Sequence, residues 1–162
     1  MALEFEELRV LQAAEAVADD IWRQVVRWEP LVREVIGTQL AKAADSIGAN
    51  IAEAYGRFHF GEKLQFLYYA RGSLFETKYW LNRAQARGLL SSGQVQDYAS
   101  QLTNLARQLN GFAATLKAQG QGGRSQSPAI SEMVVEYVLD HRDDTPLFTD
   151  EDLQWLQATL NT

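Results

Sequence analysis

The sequence predicts an all-α protein: an antiparallel, up-down-up-down four-helix bundle followed by a linker and one or two short C-terminal helices. Apolar residues recur at alternating spacings of three and four along four segments of similar length, the period of a helix with one buried face. No segment between them shows sustained strand-like alternation. The connections are short, and short loops make consecutive helices antiparallel neighbours.

The first half of the chain predicts two helices. The first covers residues 5–28, with Leu11, Ala14, Ala18, Ile21, Val25 and Trp28 on one face. We expect it to stop at Pro30, because proline cannot continue a helix. The second carries Ile36, Leu40, Ala43, Ile47, Ile51, Ala54 and Phe58, and loosens at Gly56 and Gly61.

The middle of the chain predicts two more helices. The third carries Leu64, Leu67, Ala70, Leu74, Thr77, Leu81 and Ala84, and ends at Gly88, a residue suited to a left-handed cap. Ser91 and Gln94 form a predicted capping box for the fourth. Its apolar face is the most regular in the chain: Val95, Tyr98, Leu102, Leu105, Leu109, Phe112 and Leu116.

Three regions follow from these patterns: a bundle over residues 1–118, a flexible linker over 119–127 and an acidic helical extension over 128–162. The linker has the Gly, Gln and Ser composition of a flexible connection. Ser127-Pro128 and Thr149 with Asp152 resemble helix starts. We expect helices through Ile130–Val138 and Leu153–Leu160, without a predicted docking site for either.

Charge is distributed unevenly, although the whole chain carries only −6. Residues 1–36 have eight acidic and four basic groups (−4), residues 37–127 five and ten (+5), and residues 128–162 eight and one (−7). A basic middle segment keeps nucleic acid among the possible partners, and the acidic extension could occupy that segment instead. The N-terminal sequence lacks a secretory signal pattern and no apolar run would span a bilayer, so we expect a cytoplasmic protein without a membrane partner.

The residues that usually carry catalysis are scarce, so we expect no enzymatic activity, no cofactor and no metal. The chain contains no cysteine, and its two histidines, His59 and His141, each lack a glutamate three residues earlier. Phosphate-binding, dinucleotide-binding and serine-nucleophile motifs are absent from the sequence. An enzyme would require Glu53, Arg57, Tyr69 and Glu76 to line a closed pocket.

One polar pattern has two interpretations. Helix two carries Ser46, Asn50, Glu53 and Arg57 at spacings of four, three and four, and helix three carries Tyr69, Ser73, Glu76 and Trp80. The first interpretation is a structural hydrogen-bond network of Ser46, Asn50, Glu53, Arg57, Ser73 and Glu76 that sets the helix register. The second is a groove that faces a ligand or partner.

The same segment resembles a known family. Gln39-Leu40 with Ala43, then Ser46-Ile47, Asn50-Ile51-Ala52-Glu53, and Gly72-Ser73 with Glu76 are similar to the signatures of the bacterial four-helix bundle proteins of the 23S rRNA intervening-sequence family. The resemblance covers about residues 8–118. Family members often carry two adjacent basic residues after Gln-Leu, where this chain has Ala41 and Lys42.

The resemblance implies a ring-shaped homopentamer without enzymatic activity. A related branch, the accessory variability determinant of diversity-generating retroelements, binds nucleic acid and a reverse transcriptase. We therefore expect an oligomeric scaffold or adaptor that binds itself, with RNA or a nucleic-acid-processing protein as candidate partners. The expected contact residues are Lys42, Asn50, Glu53, Arg57, Arg71, Lys78, Arg83, Arg87 and Arg107. The alternative is a protein interaction module that binds no nucleic acid and docks a partner through its acidic tail.

Overall fold

The computed structural model describes residues 2–122 and 145–160, and every secondary-structure element in these two ranges is helical. Four long helices are α1 (Ala2–Val25), α2 (Thr38–Gly56), α3 (Phe60–Ala86) and α4 (Ser92–Gly122). A short helix, α5 (Asp150–Gln157), follows near the end of the chain. This architecture confirms the all-α prediction.

The connection between α1 and α2 differs from the prediction, because Pro30 begins a helical segment. α1 ends at Val25, and the three-residue helix Pro30–Val32 leads through a π-helical turn, Arg33–Gly37, directly into α2. Proline suits a first helical position because an N–H there would have no intrahelical partner. Gly37 permits a close approach, since a Cβ there would lie 2.7 Å from Val25 Cγ1.

The turn between α3 and α4 matches the sequence signals. Gly88 has a φ of 74°, in the left-handed region that favours glycine. Ser91 and Gln94 form the predicted capping box: the Gln94 N–H donates to Ser91 Oγ (3.1 Å), and the Ser91 N–H donates to Gln94 Oε1 (2.9 Å). α4 then continues through Gly122, past the predicted bundle end at residue 118.

Contacts of α1 with α4 and with α2 pair residues that come later in one helix with residues that come earlier in the other. Gln94 of α4 donates to Gln24 of α1, and Tyr98, one turn later, donates to the carbonyl of Asp20, one turn earlier. Gly37 and Gly48 likewise lie near Val25 and Ala14, respectively. α2 also packs on α3, and α3 packs on α4. The four long helices therefore close a bundle around one core.

The predicted apolar faces form this core almost completely. Every apolar position predicted for α3 and α4 is buried, as are those of α2 up to Ala54. Phe58 is an exception, because the chain leaves α2 at Gly56 and the Phe58 side chain is 92% exposed. Lys78 is the opposite exception, a charged residue with no exposed surface.

The C-terminal segment 145–160 packs against the bundle. Thr149 and Asp152 start α5, as predicted, and they do so with a capping box in which each side chain accepts a hydrogen bond from the other residue's backbone N–H. Leu147, Phe148 and Leu156 are buried against the bundle. Residues 123–127 of the predicted linker, the predicted helix at Ile130–Val138 and His141 lie outside the described residues.

Candidate interaction surface

The polar pattern predicted on helices two and three lies on α2 and α3, and we call it the polar stripe. Its central part is a hydrogen-bond network. Asn50 is half-buried and donates through Nδ2 to the Ser46 carbonyl (2.8 Å) and to Ser73 Oγ on α3 (3.4 Å). Ser46 and Ser73 each donate to a carbonyl one turn earlier in their own helix, those of Lys42 and Tyr69. Asn50 therefore joins the two helices at one register.

The outer part of the stripe faces solvent. Glu53 and Arg57 form an ion pair one turn apart, and the Arg57 guanidinium lies 4.7 Å from the centre of the Phe66 ring. Glu76 accepts a hydrogen bond from the indole of Trp80 (3.3 Å), and neither residue bonds to the Asn50 network. Glu53 and Glu76 are exposed, and the groove beside Glu53 is open.

Two of the nine predicted contact residues lie beneath the C-terminal segment. Arg71 donates through Nε to the Leu147 carbonyl (2.8 Å) and through Nη2 to Asp152 (3.3 Å). The Lys78 ammonium donates to the Ala158 carbonyl and lies 5.5 Å from the centre of the Trp155 ring. The expectation that Arg71 and Lys78 face an external partner is therefore corrected: in the described structure the protein's own tail binds both cations.

The electrostatics of this contact follow from burial and hydrogen bonding. Burial lowers the pKa of the Lys78 ammonium, because desolvation disfavours the charged form. Burial also acts to raise the pKa of Asp152, but hydrogen bonds from Thr149 and the nearby Arg71 guanidinium outweigh it. The pKa of Asp152 therefore lies below its ordinary value.

The remaining predicted cations stay accessible to different degrees. Lys42, Arg87 and Arg107 are exposed, and Arg83 is partly exposed. Arg83 and Arg87 lie one turn apart at the end of α3, Lys42 lies near the start of α2, and Arg107 lies in the middle of α4. These four side chains therefore come from three separate helices and do not form a single run of basic residues along the chain.

Our sequence interpretation missed an exposed apolar surface beside the turn that joins α1 to α2. Trp22 and Val26 lie one turn apart at the end of α1, and Leu31 and Val35 lie one turn apart on the segment that follows. Trp22 is 56% exposed and Leu31 is 72% exposed. The spacing of Leu31 and Val35 could have indicated this surface, but we interpreted Pro30 only as the stop of the first helix and began the second pattern at Ile36.

A groove of small residues lies between α1 and α2. Trp22 follows the lining residues Ala18 and Asp19 by one turn of α1, so it lies on the same side of that helix. Leu11, Ala14, Glu15, Ala18, Asp19, Asp45, Gly48, Ala49 and Ala52 line the groove. Burial and, to a smaller extent, the negative charge of Asp19 raise the pKa of Asp45 in this groove. We call the groove and the four exposed apolar residues Trp22, Val26, Leu31 and Val35 together the α1–α2 face.

Membrane-spanning helices and metal-ligand clusters are two further features that we compared with the described part of the chain. Within residues 2–122 and 145–160, no helix combines the length and apolarity that a bilayer-spanning segment needs. In the same ranges, histidine and carboxylate side chains nowhere gather in threes as a metal site would require.

A comparison with protein families identifies the chain. The family model described as 23S rRNA-intervening sequence protein matches residues 6–111, which is more than half of the 162 residues. No curated protein matches the chain. The match covers most of α1, all of α2 and α3 and most of α4, and it ends before the C-terminal segment. The chain therefore belongs to the 23S rRNA-intervening sequence protein family.

Proposed function

We propose that this protein is a non-enzymatic, self-associating helical scaffold whose copies meet through the α1–α2 face. The observation that carries the proposal is the exposure of Trp22, Val26, Leu31 and Val35 at the α1–α2 connection, together with the open groove of small residues between the same two helices. Large apolar side chains that are grouped on a surface favour burial against another protein. Small residues such as Ala49 and Ala52 allow a second helix to approach closely.

The arrangement of the C-terminal segment supports this choice of face. Segment 145–160 covers the surface between α3 and α4, where Phe75 packs against Phe148 and Trp155. No part of the described chain covers the exposed side chains of the α1–α2 face. Glu53 and Glu76 lie on open surface, which supports a binding role over catalysis at the polar stripe.

The oligomeric state tests the proposal. Light scattering after size-exclusion chromatography should give a multiple of the monomer mass for the unaltered protein and a smaller mass for Trp22→Glu/Leu31→Glu. The control is Tyr68→Glu/Tyr79→Glu on α3, which adds the same charge at side chains that are 50% and 51% exposed. A monomeric unaltered protein, or a double variant that keeps the larger mass, would refute the proposal.

RNA is a second candidate partner, and the accessible Arg83 and Arg87 at the end of α3 favour it. Lys42 and Arg107 supply further exposed positive charge. The family name refers to an insertion in 23S rRNA, which makes structured RNA the natural probe. Because Arg71 and Lys78 are held by the tail, we expect phosphate contacts in the docked state to come from these four accessible cations.

Binding to a structured RNA at two salt concentrations tests this second candidate. Arg83→Gln/Arg87→Gln should weaken binding and reduce the salt dependence by about one phosphate contact for each arginine. Arg23→Gln is the control, because Arg23 is exposed but already paired with Asp20. Leu156→Asp places a carboxylate at a buried position of segment 145–160 and should release that segment from the bundle. The absence of binding at both salt concentrations, in the unaltered protein and in Leu156→Asp, would reject RNA as a partner.

A further inference from the structure

The C-terminal segment binds along the surface between α3 and α4, which we call the α3–α4 groove. Asp152 meets Arg71, Ala158 meets Lys78 and Leu160 meets Gln85, so the segment runs parallel to α3. Thr145 meets Lys117, Phe148 meets Asn110 and Gln157 meets Ser100, so it runs antiparallel to α4. One element therefore contacts both walls of the groove along its length.

The spacing of the two cations matches the length of α5. Arg71 and Lys78 are seven residues apart on α3, a rise of about 10.5 Å. Asp152 and Ala158, which they contact, are six residues apart, a rise of about 9 Å if helical. Arg71 thus binds an acid in the first turn of α5, and Lys78 binds a carbonyl where α5 ends. A cation at that end also complements the helix dipole.

The bundle recognises the segment largely through its backbone. Five carbonyl groups of the segment accept hydrogen bonds from bundle side chains: those of Thr145, Leu147, Phe148, Ala158 and Leu160. Asn110 also accepts a hydrogen bond from the Phe148 N–H (2.7 Å), so its amide pairs with both backbone groups of one residue. Buried Leu147, Phe148 and Leu156 supply the apolar contact. This combination resembles a peptide bound in a receptor groove.

The chain that joins the segment to the bundle is long compared with what this position requires. Thr145 lies beside Lys117, and Lys117 is only about 7.5 Å from the end of α4 along the helix axis. The 22 residues 123–144 could span about 70 Å if extended. That reach would also allow the segment to enter the groove of a neighbouring copy.

We propose that the α3–α4 groove is a peptide-recognition site in which segment 145–160 is exchanged between copies of this protein. The occupant is the tail of a second copy, bound through the same contacts that hold it within one chain. Each copy would then donate one segment and receive one segment, which links copies independently of the α1–α2 face.

Two full-length variants test the exchange. The tail variant, Leu156→Asp, places a carboxylate at a fully buried position of the segment and leaves the groove unchanged. The groove variant, Arg71→Glu/Lys78→Glu, disables the groove and leaves the tail unchanged. In each protein alone, the amides of residues 150–157 should exchange with deuterium about tenfold faster or more than in the unaltered protein.

Mixing the two variants creates one compatible pair, the intact tail of the groove variant and the intact groove of the tail variant. Mass spectrometry distinguishes the two tails because the Leu156→Asp substitution changes the mass of one of them. We expect the intact tail to regain its slow exchange in the mixture and the substituted tail to remain fast. The matched control mixes the groove variant with Arg71→Glu/Lys78→Glu/Leu156→Asp, which offers no intact groove and should restore nothing.

The outcomes separate this proposal from self-association through the α1–α2 face. Recovery should persist when both partners also carry Trp22→Glu/Leu31→Glu. An intact tail that stays unprotected in the mixture would overturn the exchange and show that docking occurs only within one chain. Continued protection in the groove variant alone would overturn the role of the two cations. If the double change reduces bundle helicity, Arg71→Glu alone repeats the test at a partly exposed side chain.

Discussion

Lys78 has a role that its residue type does not suggest. Its side chain is fully buried, and its ammonium meets the Ala158 carbonyl and the Trp155 ring. A buried cation loses its interactions with water. The carbonyl at the end of α5 and the face of the Trp155 ring replace part of that lost stabilisation. The aliphatic stem also fills space beneath α5. We therefore expect the stem to contribute more to stability than the charge.

Replacement of Lys78 separates these two contributions. Lys78→Met keeps a long apolar side chain, so the free energy of unfolding should change by less than about 1.5 kcal/mol. Lys78→Ala removes most of the stem and should cost about 2–4 kcal/mol, as other large-to-small changes at buried positions do. Urea denaturation measures both values. Equal losses in the two variants would instead assign the stability to the ammonium.

Asp45 should make stability depend on pH in the acid range. Burial and the nearby charge of Asp19 raise the pKa of Asp45 in the folded state. The folded protein therefore binds this proton more tightly than the unfolded chain does, so the ionised carboxylate is destabilising above the folded pKa. That penalty declines as the pH falls through the folded pKa and is absent below the unfolded pKa.

Asp45→Asn should consequently raise the melting temperature at pH 7, with a difference that narrows as the pH falls towards about 3. Thermal unfolding followed by circular dichroism at several pH values measures this difference. Asp97→Asn, which removes one exposed negative charge from α4, should not reproduce the pattern. A constant benefit of Asp45→Asn at all pH values would contradict the assigned cause.

At the scale of elements, helix starts follow local chemistry closely. Ser91 with Gln94 and Thr149 with Asp152 were both recognisable from residue type and spacing, because a capping box uses only neighbouring groups. The route from α1 to α2 was not recognisable, because Pro30 can either end one helix or begin the next. Packing of Gly37 against Val25 belongs to the folded protein and has no local signal.

The capping box of α4 gives a prediction with an adjacent control. Ser91→Ala removes the side-chain acceptor for the Gln94 N–H and should reduce the free energy of unfolding by about 1 kcal/mol. Ser92→Ala changes the neighbouring exposed serine, the first residue of α4, and should have an effect near zero. Urea denaturation measures the change in the free energy of unfolding for each variant. Similar losses would show that Ser91 has no special capping role.

Docking of α5 should weaken in acid. The pKa of Asp152 is lower in the docked state, because hydrogen bonds from Thr149 and the Arg71 charge outweigh the effect of burial. A lowered folded pKa means that the stabilisation is present above the unfolded pKa and is lost as the pH falls through the folded value. Hydrogen exchange of residues 150–157, corrected for intrinsic rates, should therefore accelerate on acidification relative to the bundle.

Two neutral variants isolate the contribution of Asp152 to this acid response. Asp152→Asn should make docking weaker at neutral pH and less sensitive to acid. Asp150→Asn removes a nearby exposed charge and should retain the acid response. If both variants respond alike, general tail charge is the cause and the pairing with Arg71 is not.

At the scale of the whole molecule, the four-helix bundle contributes many more buried apolar side chains to the core than segment 145–160 does. The four long helices supply nearly all of the buried apolar side chains in the core, whereas segment 145–160 adds three, Leu147, Phe148 and Leu156. The bundle should therefore fold without the docked tail, since its own helices satisfy most of one another's apolar surface.

Comparing one tail variant with one core variant tests this independence. Leu156→Asp should release residues 150–157, as seen by hydrogen exchange, while α1–α4 retain their helicity and slow exchange. Leu105→Ala, at a buried position in α4, should cost about 2–5 kcal/mol of the free energy of unfolding. Loss of bundle helicity in Leu156→Asp would show that the tail is part of one cooperative unit.

The sequence by itself determined the helical class, the four apolar faces and the helix starts at Ser91 and Thr149, because each depends on residue type and spacing along one stretch of chain. Tertiary structure decided what those helices present to solvent. It assigned Arg71 and Lys78 to the tail through contacts separated by about 80 residues, and it formed the small-residue groove from residues of both α1 and α2. Periodicity records which side of a helix is apolar, whereas the identity of the neighbour on any side depends on how distant segments pack.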